Sequence, residues 1–205
     1  MKKKLFAIIL SGMLFIASGT FVACDDFSDT HDDIYNTLNS LVAQPQSQVA
    51  LTISTILNGE KLNGTFTAIQ EDDGIRVTYA YEQLSTFEDG EDGYIIPDSY
   101  ITTYQGTVLI AEGKVVEQNG DAADIAIEQI TAAGLEFEKD YFSNVIEQEG
   151  FFQAKVIAPS DFLQTEISCT EMRVEACYMQ ESIDLLTISY TSSSGAQVVL
   201  SYTFG

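Results

Sequence analysis

The residues able to do chemistry in this chain are few or scattered. His31 is the only histidine, and it stands at the start of a candidate helix. A Ser–His–Asp or Cys–His pair needs a histidine fixed inside the fold, and His31 reads instead as a solvated residue. One histidine and three cysteines do not supply the separated ligand pairs of a zinc site. No phosphate loop or dinucleotide fingerprint occurs. Among 31 acids some carboxylate pair always falls at a spacing suited to glycoside hydrolysis, so that spacing carries no weight. The run Glu88-Asp89-Gly90-Glu91-Asp92-Gly93 offers several oxygens to a Ca²⁺ ion. It lacks the aspartate spacing and closing glutamate of an EF-hand and reads as a solvated loop. No cofactor is expected, and the chain reads as non-enzymatic.

Cys24 is different, because of what precedes it. Lys2, Lys3 and Lys4 make a positive start, Leu5 to Ile16 is apolar apart from Ser11 and Gly12, and Ala17-Ser18-Gly19-Thr20 is a run of small residues. This is the pattern of a secretion signal; it is barely long enough for a spanning helix. Phe21-Val22-Ala23-Cys24 then resembles the lipobox of bacterial lipoproteins, with Phe21 where leucine is usual. The resemblance implies cleavage before Cys24 and a diacylglyceryl group on its sulfur. Two acyl chains suffice for stable anchoring, each buried methylene adding about 0.8 kcal/mol. The expected organisation is a signal peptide over residues 1–23, an acidic tether over 24–30 and one domain over 31–205. The expected location is the extracytoplasmic face of a cell membrane, held there by lipid.

From Cys24 onward the chain keeps all 31 acids against Lys61, Arg76, Lys114, Lys139, Lys155 and Arg173. Such a surface repels nucleic acid and anionic headgroups, so neither is an expected partner. The exported compartment permits a disulfide between the remaining cysteines, Cys169 and Cys177. On one continuous strand they lie about 26 Å apart and cannot bond. A hairpin centred on Arg173 brings them opposite each other, although Met172-Arg173-Val174 is poor turn chemistry. Two buried thiols are the alternative.

The elements that position these residues are mostly strands. Ile34, Leu38, Leu41 and Val42 form one helical stripe, with Thr30 and Asp33 as a capping pair and Pro45 as the stop. Residues 49–57 alternate, Asn58-Gly59 marks a hairpin turn, and residues 62–68 return. Asp72-Asp73-Gly74 turns into an alternating run, Ile75 to Glu82. A loop over 84–98 leads to a strand over 100–110, a turn at Ala111 to Lys114, and a short partner over 115–117. Residues 121–133 read as a second helix ended by Gly134. Strands follow at 135–137, 144–148 and 151–158, then a turn at Pro159. A final meander covers 172–179, 183–190 and 196–204. Leu51-Thr52-Ile53-Ser54 recurs as Leu186-Thr187-Ile188-Ser189, through duplication or through similar hairpin composition.

These elements give an α+β fold, mostly antiparallel β: a curved meander sheet covered by an N-terminal and a mid-chain helix. With Thr78-Tyr79-Ala80-Tyr81-Glu82, Tyr104-Gln105-Gly106-Thr107-Val108 and Gly113-Lys114-Val115, the layout resembles uncharacterised exported lipoproteins. It is also similar to carriers that shelter acyl chains under a half-barrel. No binding residue carries over from that layout. Tyr79, Tyr81, Tyr100, Tyr104, Tyr190 and Tyr202 suit either the rim of an apolar groove or an ordinary core. Two functions stay open: a binding module for an apolar small molecule, and a structural component that holds another envelope protein by a strand edge or acidic loop.

Overall fold

The computed structural model describes residues 31–86, 99–122, 125, 127–179 and 182–205. Cys24, the leader, the tether, Thr30 and the Glu88–Gly93 loop lie outside the described residues. The described residues begin with helix α1 (His31–Ala43), followed by β1 (Gln48–Leu57), β2 (Glu60–Glu71), β3 (Gly74–Thr86), β4 (Ser99–Ala111) and β5 (Lys114–Gly120). A short connecting segment holds α2 (Ile127–Ile130) and a 3₁₀ turn (Lys139–Tyr141). The second half holds β6 (Phe142–Gln148), β7 (Phe151–Val156), α3 (Pro159–Phe162), β8 (Cys169–Tyr178), β9 (Ile183–Ser192) and β10 (Gln197–Phe204).

The ten strands form one sheet in the order β5-β4-β3-β2-β1-β10-β9-β8-β7-β6, and every pair is antiparallel. The fold is α+β and mostly β, as expected. The sheet, expected to be curved, stays open and uncurled. It consists of two five-strand meanders joined where β1 pairs with β10, Val49 opposite Phe204 through Ile56 opposite Gln197. Turn chemistry sets the hairpins. Asn58 and Gly59 both have positive φ, 53° and 86°, as a tight two-residue turn between twisted strands requires.

The period of two puts apolar side chains on a single face. Val49, Leu51 and Ile53 of β1, Phe66 of β2, Val77, Tyr79 and Tyr81 of β3, and Leu200 and Tyr202 of β10 are all buried there. On the opposite face Thr52, Thr65 and Thr78 are exposed. Helix α1 covers part of the apolar face with Ile34, Leu38, Leu41 and Val42, the expected stripe, and adds Tyr35. Tyr35 stacks on Phe142 at 5.7 Å and meets Phe152 edge-on at 5.9 Å. Phe137 completes this aromatic cluster, edge-on to Phe162 at 5.2 Å. Such pairs add about 0.5–1.5 kcal/mol each beyond burial.

Three sequence expectations are corrected. The mid-chain helix is one turn, Ile127–Ile130, not residues 121–133. Its first part is captured by the sheet: Asp121 N–H donates to Gln105 C=O at 2.9 Å, and the Tyr79 hydroxyl donates to Asp121 C=O. Beyond it, Ala132 has φ 62°, outside the right-handed helical region. Residues 135–137 form no strand. Asn39 of α1 supplies what a neighbouring strand would, accepting from Phe137 N–H at 2.7 Å and donating to Phe137 C=O at 2.8 Å. The loop expected from residue 84 starts later, since β3 runs to Thr86. The strand expected from residue 172 is present, so the hairpin at Arg173 that a Cys169–Cys177 disulfide required does not form. Strand β8 is continuous through that residue, with a register shift between Thr170 and Arg173 and Glu171 at φ 56°.

The repeated Leu-Thr-Ile-Ser segments flank β10 in register. Leu51 and Leu186 both oppose Tyr202, and Ile53 and Ile188 both oppose Leu200. They lie on β1 and β9, which do not correspond by order in the two five-strand halves. Equal burial beside one central strand accounts for the likeness better than duplication does.

Candidate functional site

The β1–β2 ladder continues to its hairpin, Leu57 opposite Glu60. The β3–β4 ladder continues to Thr86 opposite Ser99. Between them, the β2–β3 ladder stops at Gly64 opposite Tyr81. The sheet therefore forks: residues 60–63 follow β1 while residues 82–86 follow β4. At the fork, Asn63 donates its backbone N–H and its Nδ2 to Glu82 Oε2, at 2.9 and 3.2 Å. A carboxylate thus replaces the missing backbone partner, which relieves the usual cost of leaving a strand N–H unpaired.

A cavity of about 240 Å³ lies in this fork. Ile53, Thr55, Leu62, Gly64, Tyr81 and Gln83 line it, with Ser194 of the β9–β10 turn at its margin. Its wall is mostly apolar because β1, β2 and β3 turn their core faces toward it. The covering helices lie elsewhere. Helix α1 packs against β9 and the 3₁₀ turn, and α2 packs against β1 and β2 near the end where Tyr202 Oη donates to Gln129 C=O at 2.7 Å. Among the described residues, none of the helices contributes a side chain to the cavity lining.

Two features give the cavity its chemistry. Tyr81 is buried, and its ring stacks on Phe66 at 5.9 Å and on Tyr104 at 5.1 Å. Burial first, then the neighbouring Tyr104, Tyr79 and Asp121, push its hydroxyl up to about 12. The group is protonated at neutral pH and does not act as a general base there. Next along the same face, Gln83 holds its side-chain oxygen buried with no hydrogen-bond partner. No Lys, Arg or His lines the cavity, and Glu82 is its only carboxylate among the described residues.

The residues singled out from sequence fall in separate places. His31 opens α1, far along the chain from the fork. Cys169 and Cys177 are both free thiols. They share strand β8, opposite Ser192 and Leu185 respectively. One continuous strand keeps them about 26 Å apart, well beyond disulfide reach. Cys169 packs against the core, and burial raises its thiol, which makes it a poor nucleophile. Of the strand tyrosines, Tyr79, Tyr81, Tyr190 and Tyr202 belong to the core. Burial raises all four hydroxyls. Tyr79 crosses Gly106, where an added Cβ would sit 2.7 Å from Tyr79 Cζ and 2.6 Å from Asn119 O. Glycine is therefore required for that tyrosine to reach Asp121. Among the described residues no cluster of three His, Cys, Asp or Glu side chains is placed to hold a metal ion.

Gln83 was not among the sequence candidates. Its signal was the alternation Val77, Tyr79, Tyr81, which, carried one step further, puts Gln83 on the core face. The ending of the β2–β3 ladder left no such signal.

No family model matches the chain, and no curated protein matches it. Solved structures with some likeness include the dehydratase domain from the CurK module of curacin polyketide synthase, 8% identical with a TM-score of 0.22, over 87% of this chain and 82% of that one. An inactive mutant of the CurK dehydratase aligns over the same shares, at 8% identity and a TM-score of 0.21. Likeness this distant carries no argument about fold or activity.

Proposed function

We propose that this protein is a lipid-anchored module of the extracytoplasmic membrane face that binds an apolar small molecule without transforming it. The observation that carries the reading is the fork cavity, whose wall is mostly apolar. Pockets of this kind, apolar with a few placed polar groups, are the usual form of small-molecule sites. Binding rather than catalysis is supported by the titratable groups in the fork. Tyr81 keeps its proton up to about 12, and Glu82 is engaged with Asn63. The lipid anchor rests on Cys24 and its leader. Native mass spectrometry of the protein released from membranes tests the binding. A co-purifying small molecule that disappears in a Leu62→Phe variant is expected; none in the unaltered protein argues against it. Replacing Cys24 with Ser tests the anchor, and retention in the membrane fraction would refute it.

A second reading is a structural component that pairs with another envelope protein through strand β5. Every residue of β5 is exposed, Val115 by 47% and Val116 by 57%. An open strand edge is a ready template for pairing. Two features weaken this reading. Val116 is an extra residue in the ladder, since Leu109 opposes Glu117 and Ile110 opposes Val115, and such a bulge breaks an edge. Lys114 and Glu117 also place charge along it.

A further inference from the structure

We infer that Asn58, at the tip of the β1–β2 hairpin, is a site of spontaneous covalent modification, where the side-chain amide is lost to the backbone nitrogen of Gly59 and an isoaspartyl linkage results. The chain holds the pairs Asn58-Gly59, Asn63-Gly64 and Asn119-Gly120. Glycine has no side chain to hinder its nitrogen, so the three share one intrinsic chemistry. The glycine nitrogen bonds to Asn Cγ, the Cγ–Nδ2 bond breaks, and ammonia leaves with the proton of the glycine N–H. Water then opens the succinimide ring. Attack at Cγ leaves aspartate; attack at the backbone carbonyl leaves isoaspartate, whose main chain runs through Cβ and Cγ. All three asparagines are exposed, so exposure does not choose between them. The ladders do. Ring closure requires the Asn–Gly peptide to rotate out of extended geometry, and a paired strand must open its ladder first. Gly64 is held between Ile53 and Tyr81, and the Asn63 amide is tied to Glu82 at 3.2 Å. Gly120 is paired with Gly106. Its neighbour Asp121 donates its N–H to Gln105 C=O and accepts from Gln105 N–H at Oδ2, both at 2.9 Å. Asn58 and Gly59 lie outside the ladder, which ends at Leu57 opposite Glu60. A Cβ added to Gly59 would meet nothing within 4 Å, so this glycine stands in open space. The consequence is local. Isoaspartate adds an atom to the main chain of a two-residue turn whose length sets the strand register, and so loosens the pairs Leu57–Glu60 and Ile56–Lys61.

Incubation of the full-length protein in detergent at mildly alkaline pH, followed by digestion, peptide mass spectrometry and isoaspartyl methyltransferase labelling, follows all three pairs in one sample. The same protein in urea supplies the reference without ladders, in which the three pairs should convert at similar rates. In the folded protein Asn58 should convert about tenfold faster than Asn63 or Asn119, because those two must first open a strand. The isoaspartate form, separated by its added negative charge, should exchange the amide hydrogens of residues 56–61 faster than the unmodified form. Similar rates at the three pairs in the folded protein would overturn the inference, as would a folded Asn58 that stays intact while the urea sample converts. A preference for Asn58 that is as large in urea as in the folded protein would assign it to sequence and not to the ladders, and would overturn the inference too. Unchanged exchange at residues 56–61 would refute the loosening of the hairpin.

Discussion

Replacing Asn39 with Ala removes the bracket that holds the central aromatic to the helix. Asn39 makes two hydrogen bonds to the backbone of Phe137, at 2.7 and 2.8 Å, across 98 residues of chain. Phe137 is fully buried, among Phe142, Phe152 and Phe162. Each lost bond removes a net ~1 kcal/mol, and a backbone group left dry costs ~1–3 kcal/mol more. Water reaches part of the half-buried Asn39 site and offsets some of that second cost. The expected loss is therefore about 3 kcal/mol. For a domain of this size it corresponds to a fall of about 6–12 °C in Tm. Urea unfolding followed by tyrosine fluorescence measures it, since the chain has no tryptophan. The midpoint should fall with the slope unchanged, because the surface exposed on unfolding is the same. A loss under about 0.5 kcal/mol, the range of an ordinary surface substitution, would refute the reasoning. Phe137 would then find other backbone partners, and Asn39 would not be the reason residues 135–137 form no strand.

Two further outcomes are expected. Gly106→Ala should cost about 2–3 kcal/mol, as overpacking does, and more than Tyr79→Phe, because it displaces the Tyr79 ring and crowds Asn119 O at 2.6 Å; equal stability of Gly106→Ala and the unaltered protein in urea would contradict this. Tyr81 rises from its ordinary 10.0 to about 12 on folding, so the folded state holds that proton more tightly than the unfolded state. Its contribution is complete below pH 10 and is lost as pH rises through about 12. Tyr81→Phe should flatten the fall in stability across that window. Tyrosinate absorbance with parallel circular dichroism checks it, and an unchanged alkaline unfolding curve would count against the shift.

Much of the fold was legible because its signals are local. Asn58-Gly59, Asp72-Asp73-Gly74 and Glu112-Gly113 announce hairpins through residues that tolerate positive φ or tight turns. The stripe Ile34, Leu38, Leu41, Val42 announces α1, and period two assigns each strand a buried face. Where the reading failed, a distant partner had overridden local pattern. Residues 121–133 alternate weakly enough to suit helix or strand, and contacts from Gln105 and Tyr79 decide for a sheet extension at Asp121. Residues 135–137 look like a strand, yet one asparagine side chain satisfies the central backbone. The fork is the hardest to foresee, since nothing in residues 60–63 or 82–86 says that they follow different neighbours.

By itself the sequence determined most of the strand segments and which of their faces is apolar. Side-chain period and turn propensity are properties of a few adjacent residues, so they can be read without knowing the fold. Only the tertiary structure decided that β1 pairs with β10, that β8 passes straight through Arg173 and separates its two cysteines, and that β2 and β3 part at Gly64 and Tyr81. Backbone donors and acceptors are the same in every strand, so strand order and the end of a ladder depend on how the whole apolar face is covered. The cavity lies where the β2–β3 ladder ends.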